Sequence, residues 1–364
     1  MKVAVMGAGG GGVALASHLA QQGFQTALYA PPEHAKNAYA ISEQQGEIHV
    51  TGDHPLTCKV DTVTLDIRQA IHGAEIIFMV VPAFGQEALF ENMIPFLVDE
   101  QVIAVMPGNF ATYPLQCMLE KVRPTLDITL IESSSLLHVA EIEEPGTVHI
   151  ASQHKNLLEF SVYPEYQTQK AQTLLQKCMP ETHIKIVNNY LAIGLNSPNG
   201  IVHPALTILN CGYIESTHGE FYFYKDGMTP AVCKIINALD KERQAIGKAY
   251  GLDLPALLDI IHHYYGINAL SLRDFALTSA VHNQRYSAPT CYSHRYISED
   301  VPYLLVPWLS LAKAANVNTP VLKSIISIAS ELVDCNFVKK GRLISHFLPS
   351  QPIVPLHLSS QQAV

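Results

Sequence analysis

The sequence has no surplus of basic residues, no cysteine pair and no long apolar run. Lys and Arg number 23 against 32 Asp and Glu, a formal net charge of −9 at pH 7. Such a chain carries no basic footprint for nucleic acid, and its modest acidity favours solubility without specifying partners. Seven cysteines stand at 58, 117, 178, 211, 233, 291 and 335, an odd number without CxxC spacing. That argues against a disulfide framework or a zinc ribbon and predicts a reducing, cytoplasmic setting. No HExxH occurs, and His262-His263 point apart on a helix, so no metal site is expected. Apolar stretches break before the roughly 18 residues that a membrane span needs, so no membrane association is expected. Met1-Lys2-Val3 runs at once into an apolar strand, which predicts no secretory signal. Internal repeats and low-complexity tracts are absent.

What is present is length and a core: 364 residues, 48% apolar and 15% charged. At about 100–200 residues per domain this suggests two domains. The first half alternates buried-strand and helix signals. Lys2–Met6, Gln25–Ala30, Ile76–Val81, Val102–Met106 and Ile128–Ile131 read as short buried strands, and Val13–Gln22 as a helix stopped by Gly23. Such runs predict an α/β fold with a parallel sheet covered on both faces. Gly46–His49 and Thr57–Val63 read as a small inserted hairpin. From about Asn188 strand runs are scarce, and Ala205–Asn210, Met228–Tyr250, Leu254–Tyr265, Val301–Ala315 and Pro320–Cys335 read as helices. The expected division is 1–188, a dinucleotide-binding (Rossmann-type) domain, and 189–364, a mainly α-helical substrate and catalytic domain, with an irregular tail after Ser345.

Gly7-x-Gly9-x-x-Gly12 directly follows the first strand and opens the first helix, the context that raises this pattern above a chance match. Its glycines permit a tight turn, close backbone approach to a pyrophosphate and close helix–strand packing, and the helix N-terminus offers free N–H groups to phosphate. Gly7, Ala8, Gly9, Gly10 and Gly12 are therefore expected to hold a dinucleotide. An NAD site usually carries an acid at the end of the second strand. Here that place reads Tyr29-Ala30-Pro31-Pro32-Glu33-His34-Ala35-Lys36. With no acid there and Lys36 and His34 nearby, NADP is expected ahead of NAD, unless those two are plain exposed helix residues. Pro82-Ala83-Phe84-Gly85 and Pro107-Gly108-Asn109 each follow a buried strand. They read equally as ligand-contacting turns, which would place Pro82 and Ala83 at the cofactor, or as ordinary strand ends.

Reduction of a carbonyl or imine needs a proton donor, usually histidine. Among 17 histidines, His203 stands out in Asn196-Ser197-Pro198-Asn199-Gly200-Ile201-Val202-His203-Pro204, where the second domain begins and where His–Pro fits a helix start. It reads as a catalytic group or as a capping or core histidine. In Ser293–Tyr303, Arg295 offers a planar fork for a carboxylate, with Asp300 five positions on. The expected picture puts Arg295 on a loop and Asp300 near the start of the helix containing Pro302. Their plain readings are a surface ion pair and a helix N-cap.

With these segments the chain resembles the opine dehydrogenases of the octopine/nopaline dehydrogenase family. The resemblance rests on the glycine motif, Asn196…His203-Pro204, Phe223–Pro230 leading into Ala238–Arg243, and Arg295-Tyr296-Ile297-Ser298-Glu299-Asp300-Val301-Pro302. It implies a Rossmann domain, a helical second domain, an active site in the cleft between them, and NADH- or NADPH-dependent joining of an amino acid to a 2-oxo acid, often pyruvate. The family's catalytic histidine, arginine and aspartate fall on His203, Arg295 and Asp300. Arg295 would clamp the oxo acid, His203 would act as acid and base, and Asp300 would orient it. Asn109 and Ser135, in segments similar to the family's substrate segments, are expected to contact substrate. Asn109 stands where the octopine enzymes have glutamine, and Leu137-His138 where they have proline and an aromatic, which puts the amino-acid substrate in question. A homodimer is a further expectation that the residues leave open. The rival readings are a simple 2-oxo acid or ketopantoate-like reductase that needs no amine, and a non-catalytic nucleotide sensor.

Overall fold

The computed structural model describes residues 1–152, 154–286 and 288–343. The reading of an irregular tail after Ser345 falls outside the described residues. Two compact units divide the chain, Met1–Tyr190 and a second beginning at Leu191.

In the first unit, β1 (Lys2–Met6), β2 (Gln25–Tyr29), β3 (Glu47–Gly52), β4 (Leu56–Lys59), β5 (Thr62–Thr64), β6 (Ile76–Met79), β7 (Val102–Val105), β8 (Thr129–Ser133), β9 (Val139–Glu144), β10 (Thr147–Ser152), β11 (Leu157–Tyr163) and β12 (His183–Ile186) build two sheets. The larger has the order β12-β11-β8-β7-β6-β1-β2-β5. Every neighbour pair in it is parallel except β11 on β8. The two-residue period of a strand explains the fully apolar runs. Val3, Val5, Ile76, Phe78, Val102 and Ala104 enter one core with the helix Gly10–Gln21. Ala4, Met6, Ile77, Met79, Ile103 and Val105 enter the other, with Ile71, Phe90, Met93, Leu115 and Leu119 from the helices opposite.

The smaller sheet has the order β4-β3-β10-β9. The expected hairpin exists as β3 and β4, but Thr57–Val63 divides. Its second part, β5, leaves the hairpin and pairs parallel with β2 in the large sheet. Ile48, Val50, Val148 and Ile150 join the core that holds Val13 and Ala14. The helix Gly10–Gln21 is thus packed between sheets and is apolar nearly all round. The sequence reading gives no element between 132 and 188, whereas the structure has β9–β12 and the helix Thr168–Cys178 there. β9 reads VAEIEE, too acidic to look like a buried strand, and β11 carries the nearly buried Glu159, paired with Lys185 at 2.8 Å.

The second unit is helical among the described residues. At its centre lies Pro198–Leu209, buried without interruption from Gly200 to Ile208. Gly200 is required there: a Cβ would stand 2.8 Å from the ring of Trp308, whose Nε1 donates to the Gly194 carbonyl. Expected helices 228–250, 254–265 and 320–335 are observed at Pro230–Ala249, Leu257–Tyr265 and Pro320–Leu332. The expected 301–315 helix begins as a wider π turn, Val301–Leu305, and continues as Val306–Ala314. Pro302 and Pro307, each early in its segment, remove donors and oppose one uninterrupted α ladder.

Candidate active site

The first unit carries a phosphate-ready loop. Gly7 has φ +127°, and a Cβ on it would lie 2.2 Å from the Val80 carbonyl oxygen; a Cβ on Gly12 would lie 1.8 Å from that of Gly7. These positions must be glycine for the turn to close. Gly9 differs: a Cβ there meets nothing within 4 Å, so open space stands beside the N-cap of the helix Gly10–Gln21. No side chain caps that helix, and its first N–H groups lack partners within it by geometry. Gly10 packs against β9, where a Cβ would come within 2.8 Å of the Glu141 Cα. Asn37 Nδ2 donates to the Ala8 carbonyl at 2.8 Å, a tie that the sequence reading missed. It pins the helix Lys36–Glu43 to the glycine loop, so the exposed Lys36 opens a helix anchored there. His34, also exposed, lies in the 3₁₀ turn Pro32–His34. Pro82-Ala83-Phe84-Gly85 is a helix start rather than a plain turn: Pro82 is the N-cap of Ala83–Met93, which adds a second helix N-terminus at the carboxyl ends of the strands.

Asn109 and Ser135 also lie in this unit. Asn109 is buried at φ +54° and Phe110 follows at +65°. The strained turn is held by the buried Glu132, whose carboxylate accepts from Phe110 N (2.7 Å), Thr112 N (2.9 Å) and Thr112 Oγ1 (2.6 Å). Gly108 admits that carboxylate, since a Cβ would overlap Glu132 Cγ at 1.7 Å. Ser135 is buried, and its carbonyl accepts from Ser133 Oγ at 2.8 Å.

The second unit brings His203 and Asp300 together. His203 Nδ1 and Asp300 Oδ2 are 2.9 Å apart, with side chains 11% and 6% exposed. His203 does not start a helix. It sits inside Pro198–Leu209, which begins at Pro198 instead, and Pro204 follows it within the helix. Pro204 has no N–H to donate to the Gly200 carbonyl four residues back, so the helix lacks that rung. Asp300 occupies the N-cap position of the π turn but makes no capping bond; its carboxylate turns to His203. Arg295 is on no loop: it opens the short helix Arg295–Ser298. Its side chain is 55% exposed, with Nε 4.0 Å from the buried Glu299 carboxylate.

Two further residues, both from segments that carry the family resemblance, enclose the imidazole. Tyr296 stacks on it with ring centroids 3.9 Å apart. Tyr224 Oη lies 3.4 Å from Nε2. His294 sits edge-on to Tyr296 and is lowered to about 4, chiefly by burial and then by Arg295 and His203, with Asp300 opposing. The 238–243 segment proves structural. Buried Arg243 binds Asp240, the Leu195 carbonyl, Asn196 Oδ1 and the Pro255 carbonyl, fixing the chain that leads into Pro198–Leu209. Only the string Leu-Asp-Lys-Glu-Arg, with acid and base three apart on a helix, hinted at this pair.

A parallel sheet with a glycine-loop helix, followed by a helical unit with a buried His–Asp pair, defines a two-domain nicotinamide-dependent oxidoreductase. Residues 186–333 match the family described as NAD/NADP octopine/nopaline dehydrogenase, alpha-helical domain, and residues 2–137 match the NAD-dependent glycerol-3-phosphate dehydrogenase N-terminus. The chain is 29% identical to an opine dehydrogenase of Arthrobacter sp. (strain 1C), covering 94% of this chain and 93% of that one. It is 24% identical to the octopine dehydrogenase of Mizuhopecten yessoensis over 77% of this chain and 75% of that one. In fold it is similar to octopine dehydrogenase solved with NADH and L-arginine, with a TM-score of 0.72 at 21% identity, covering 92% of this chain and 90% of that one. Its helical segment thus matches the octopine/nopaline dehydrogenase family model, and over nearly its whole length the chain is similar to opine dehydrogenases.

Proposed function

We propose that this enzyme catalyses the NAD(P)H-dependent, reversible reductive condensation of an amino acid with a 2-oxo acid such as pyruvate. The observation that carries this reading is the buried His203–Asp300 pair at 2.9 Å within the segment that matches the opine dehydrogenase helical domain. Residues 1–188 serve as the dinucleotide domain and 189–364 as the catalytic domain.

The open space beside Gly9, the uncapped helix and the backbone of Gly7, Ala8, Gly9, Gly10 and Gly12 fit a dinucleotide pyrophosphate. Pro82 and Ala83 add the second helix N-terminus, and Lys36 suits a 2′-phosphate, favouring NADP. When bound, the reduced nicotinamide supplies hydride. Arg295 holds the oxo-acid carboxylate through its planar fork. His203 takes a proton from the substrate ammonium, freeing the amine to attack C2. As imidazolium it returns the proton to the carbinolamine hydroxyl, which departs as water and leaves the protonated imine that is reduced. Asp300 orients the imidazole and offsets its transient charge. Asn109 and Ser135 contact substrate.

The enzyme is read as cytoplasmic, supported by seven free cysteines, and as a homodimer. Among the described residues no helix is long and apolar enough to cross a membrane. The test is a panel of amino acids with pyruvate, following NADPH and NADH oxidation. Oxidation that requires both an amine and the oxo acid is expected. Equal rates without amine would transfer the case to a simple reductase, and a clear NADH preference would remove the 2′-phosphate role of Lys36.

A further inference from the structure

We propose that Tyr224 is a positioning residue for this reaction: its hydroxyl holds the acid–base nitrogen of His203 ready and yields that place to the substrate. The proposal rests on the reading given under Proposed function. It starts from the imidazole's two nitrogens. Asp300 is acceptor-only when ionised, so the 2.9 Å contact places the ring proton of neutral His203 on Nδ1. Nε2 then carries the lone pair, and Tyr224 Oη at 3.4 Å is the donor to it. At that distance the bond is at the long end of the useful range, so it is readily exchanged for a shorter one. Tyr296 covers one face of the ring, leaving the imidazole fixed at both nitrogens and over that face.

The tyrosine ring is itself held. It lies edge-on to Phe223 (5.7 Å, 86°) and Phe275 (6.1 Å, 84°) and is tilted against His282 at 4.5 Å. Its loop is closed tightly: a Cβ on Gly227 would reach the Phe223 carbonyl oxygen at 2.4 Å, and Asp226 accepts from Tyr222 N at 2.9 Å. Burial raises the phenol well above its ordinary range, with Tyr296, Tyr265 and Asp300 adding to the effect. The hydroxyl therefore stays neutral while His203 changes state. It donates to Nε2 of the imidazole and, by rotation of its hydrogen, accepts from Nε2–H of the imidazolium. It gains and loses no net proton. The substrate ammonium, and later the carbinolamine oxygen, compete with it for the same nitrogen.

Tyr224→Phe keeps the ring contacts and removes only the hydroxyl. The expected result is a fall in kcat of about ten-fold, the size of one lost hydrogen bond. The KM for the oxo acid and the melting temperature should stay near those of the native chain. In parallel, ¹⁵N spectra of histidine-labelled protein, assigned with His203→Gln, should show neutral His203 protonated at Nδ1, and the Nε2 signal should move in Tyr224→Phe. An unchanged kcat in Tyr224→Phe overturns the proposal, as does a native spectrum with the proton on Nε2, which requires no variant to fold. If the native enzyme consumes no reduced cofactor with any amine and oxo acid, the reaction assignment fails instead, and the spectra still decide the Tyr224 contact.

Discussion

Each unit of this enzyme buries a carboxylate in its candidate site, and the two carboxylates have partners of different kinds. Glu132, fully buried, accepts from two backbone N–H groups and one hydroxyl. Those donors never change protonation state in the working pH range, so the charge is spent on geometry: it holds the positive-φ turn through Asn109 and Phe110. Asp300, equally enclosed, has a titratable partner in His203. A carboxylate facing an imidazole changes its interaction when the ring gains a proton, and that is what lets it serve chemistry. Burial and residue type are therefore poor guides to role; the partner's capacity to titrate is the better one.

The comparison can be broken most directly at His203. His203→Ala should lower kcat by about 10²–10⁴-fold, as loss of general acid–base catalysis does, with reduced-cofactor binding by fluorescence titration unchanged. Asp300→Asn should give a weaker version of the same loss with an unaltered melting profile, and the double variant should be clearly non-additive. A native kcat in Asp300→Asn would make Asp300 architectural like Glu132.

Glu132→Gln should do the reverse of Asp300→Asn and act on stability. Replacing a charged acceptor of three donors should cost about 1–3 kcal/mol in denaturant unfolding. An unchanged midpoint would show that the turn needs no anchor.

A third buried charge sharpens the contrast. Lys155, 3% exposed, donates to the Leu136 carbonyl at 2.6 Å, and burial lowers its amine to about 7 from 10.5. The unfolded chain then binds more protons than the folded one between those values, so stability should rise with pH across that window. Below about pH 7 the destabilisation is complete. The melting temperature of the native chain minus that of Lys155→Met should increase from pH 7 to pH 10; a flat difference would contradict the assignment. The smallest effect is expected at the exposed Lys36, where Lys36→Ala should raise the KM for NADPH by about two- to five-fold, the weight of a solvent-exposed charge contact, and leave that for NADH alone.

Much of this architecture was legible along the chain. Lys2–Met6, Ile76–Met79 and Val102–Val105 are apolar on both faces, and only a sheet covered twice satisfies that. The glycine loop was legible because backbone crowding leaves no alternative residue at Gly7 and Gly12. Segments that announce themselves weakly were missed: β9 for its acids, β11 for its buried Glu159, and the helix start at Pro198 because His203-Pro204 looked like the better beginning. A proline inside a helix is legible only once the residue four positions before it is known to be helical too.

The sequence by itself determined the two-part construction, the glycine loop and the residue types of the candidate site, because periodicity, glycine spacing and side-chain chemistry are local properties. Tertiary structure alone decided which of those residues meet. His203 and Asp300 are 97 positions apart, and Tyr224 is 21 from His203. Their meeting depends on helix packing around Gly200 and Trp308 and on the Arg243–Asp240 brace. Nothing in a one-dimensional pattern records which nitrogen of an imidazole faces an acid and which faces a phenol, because that is set by the directions in which three separate elements present their side chains.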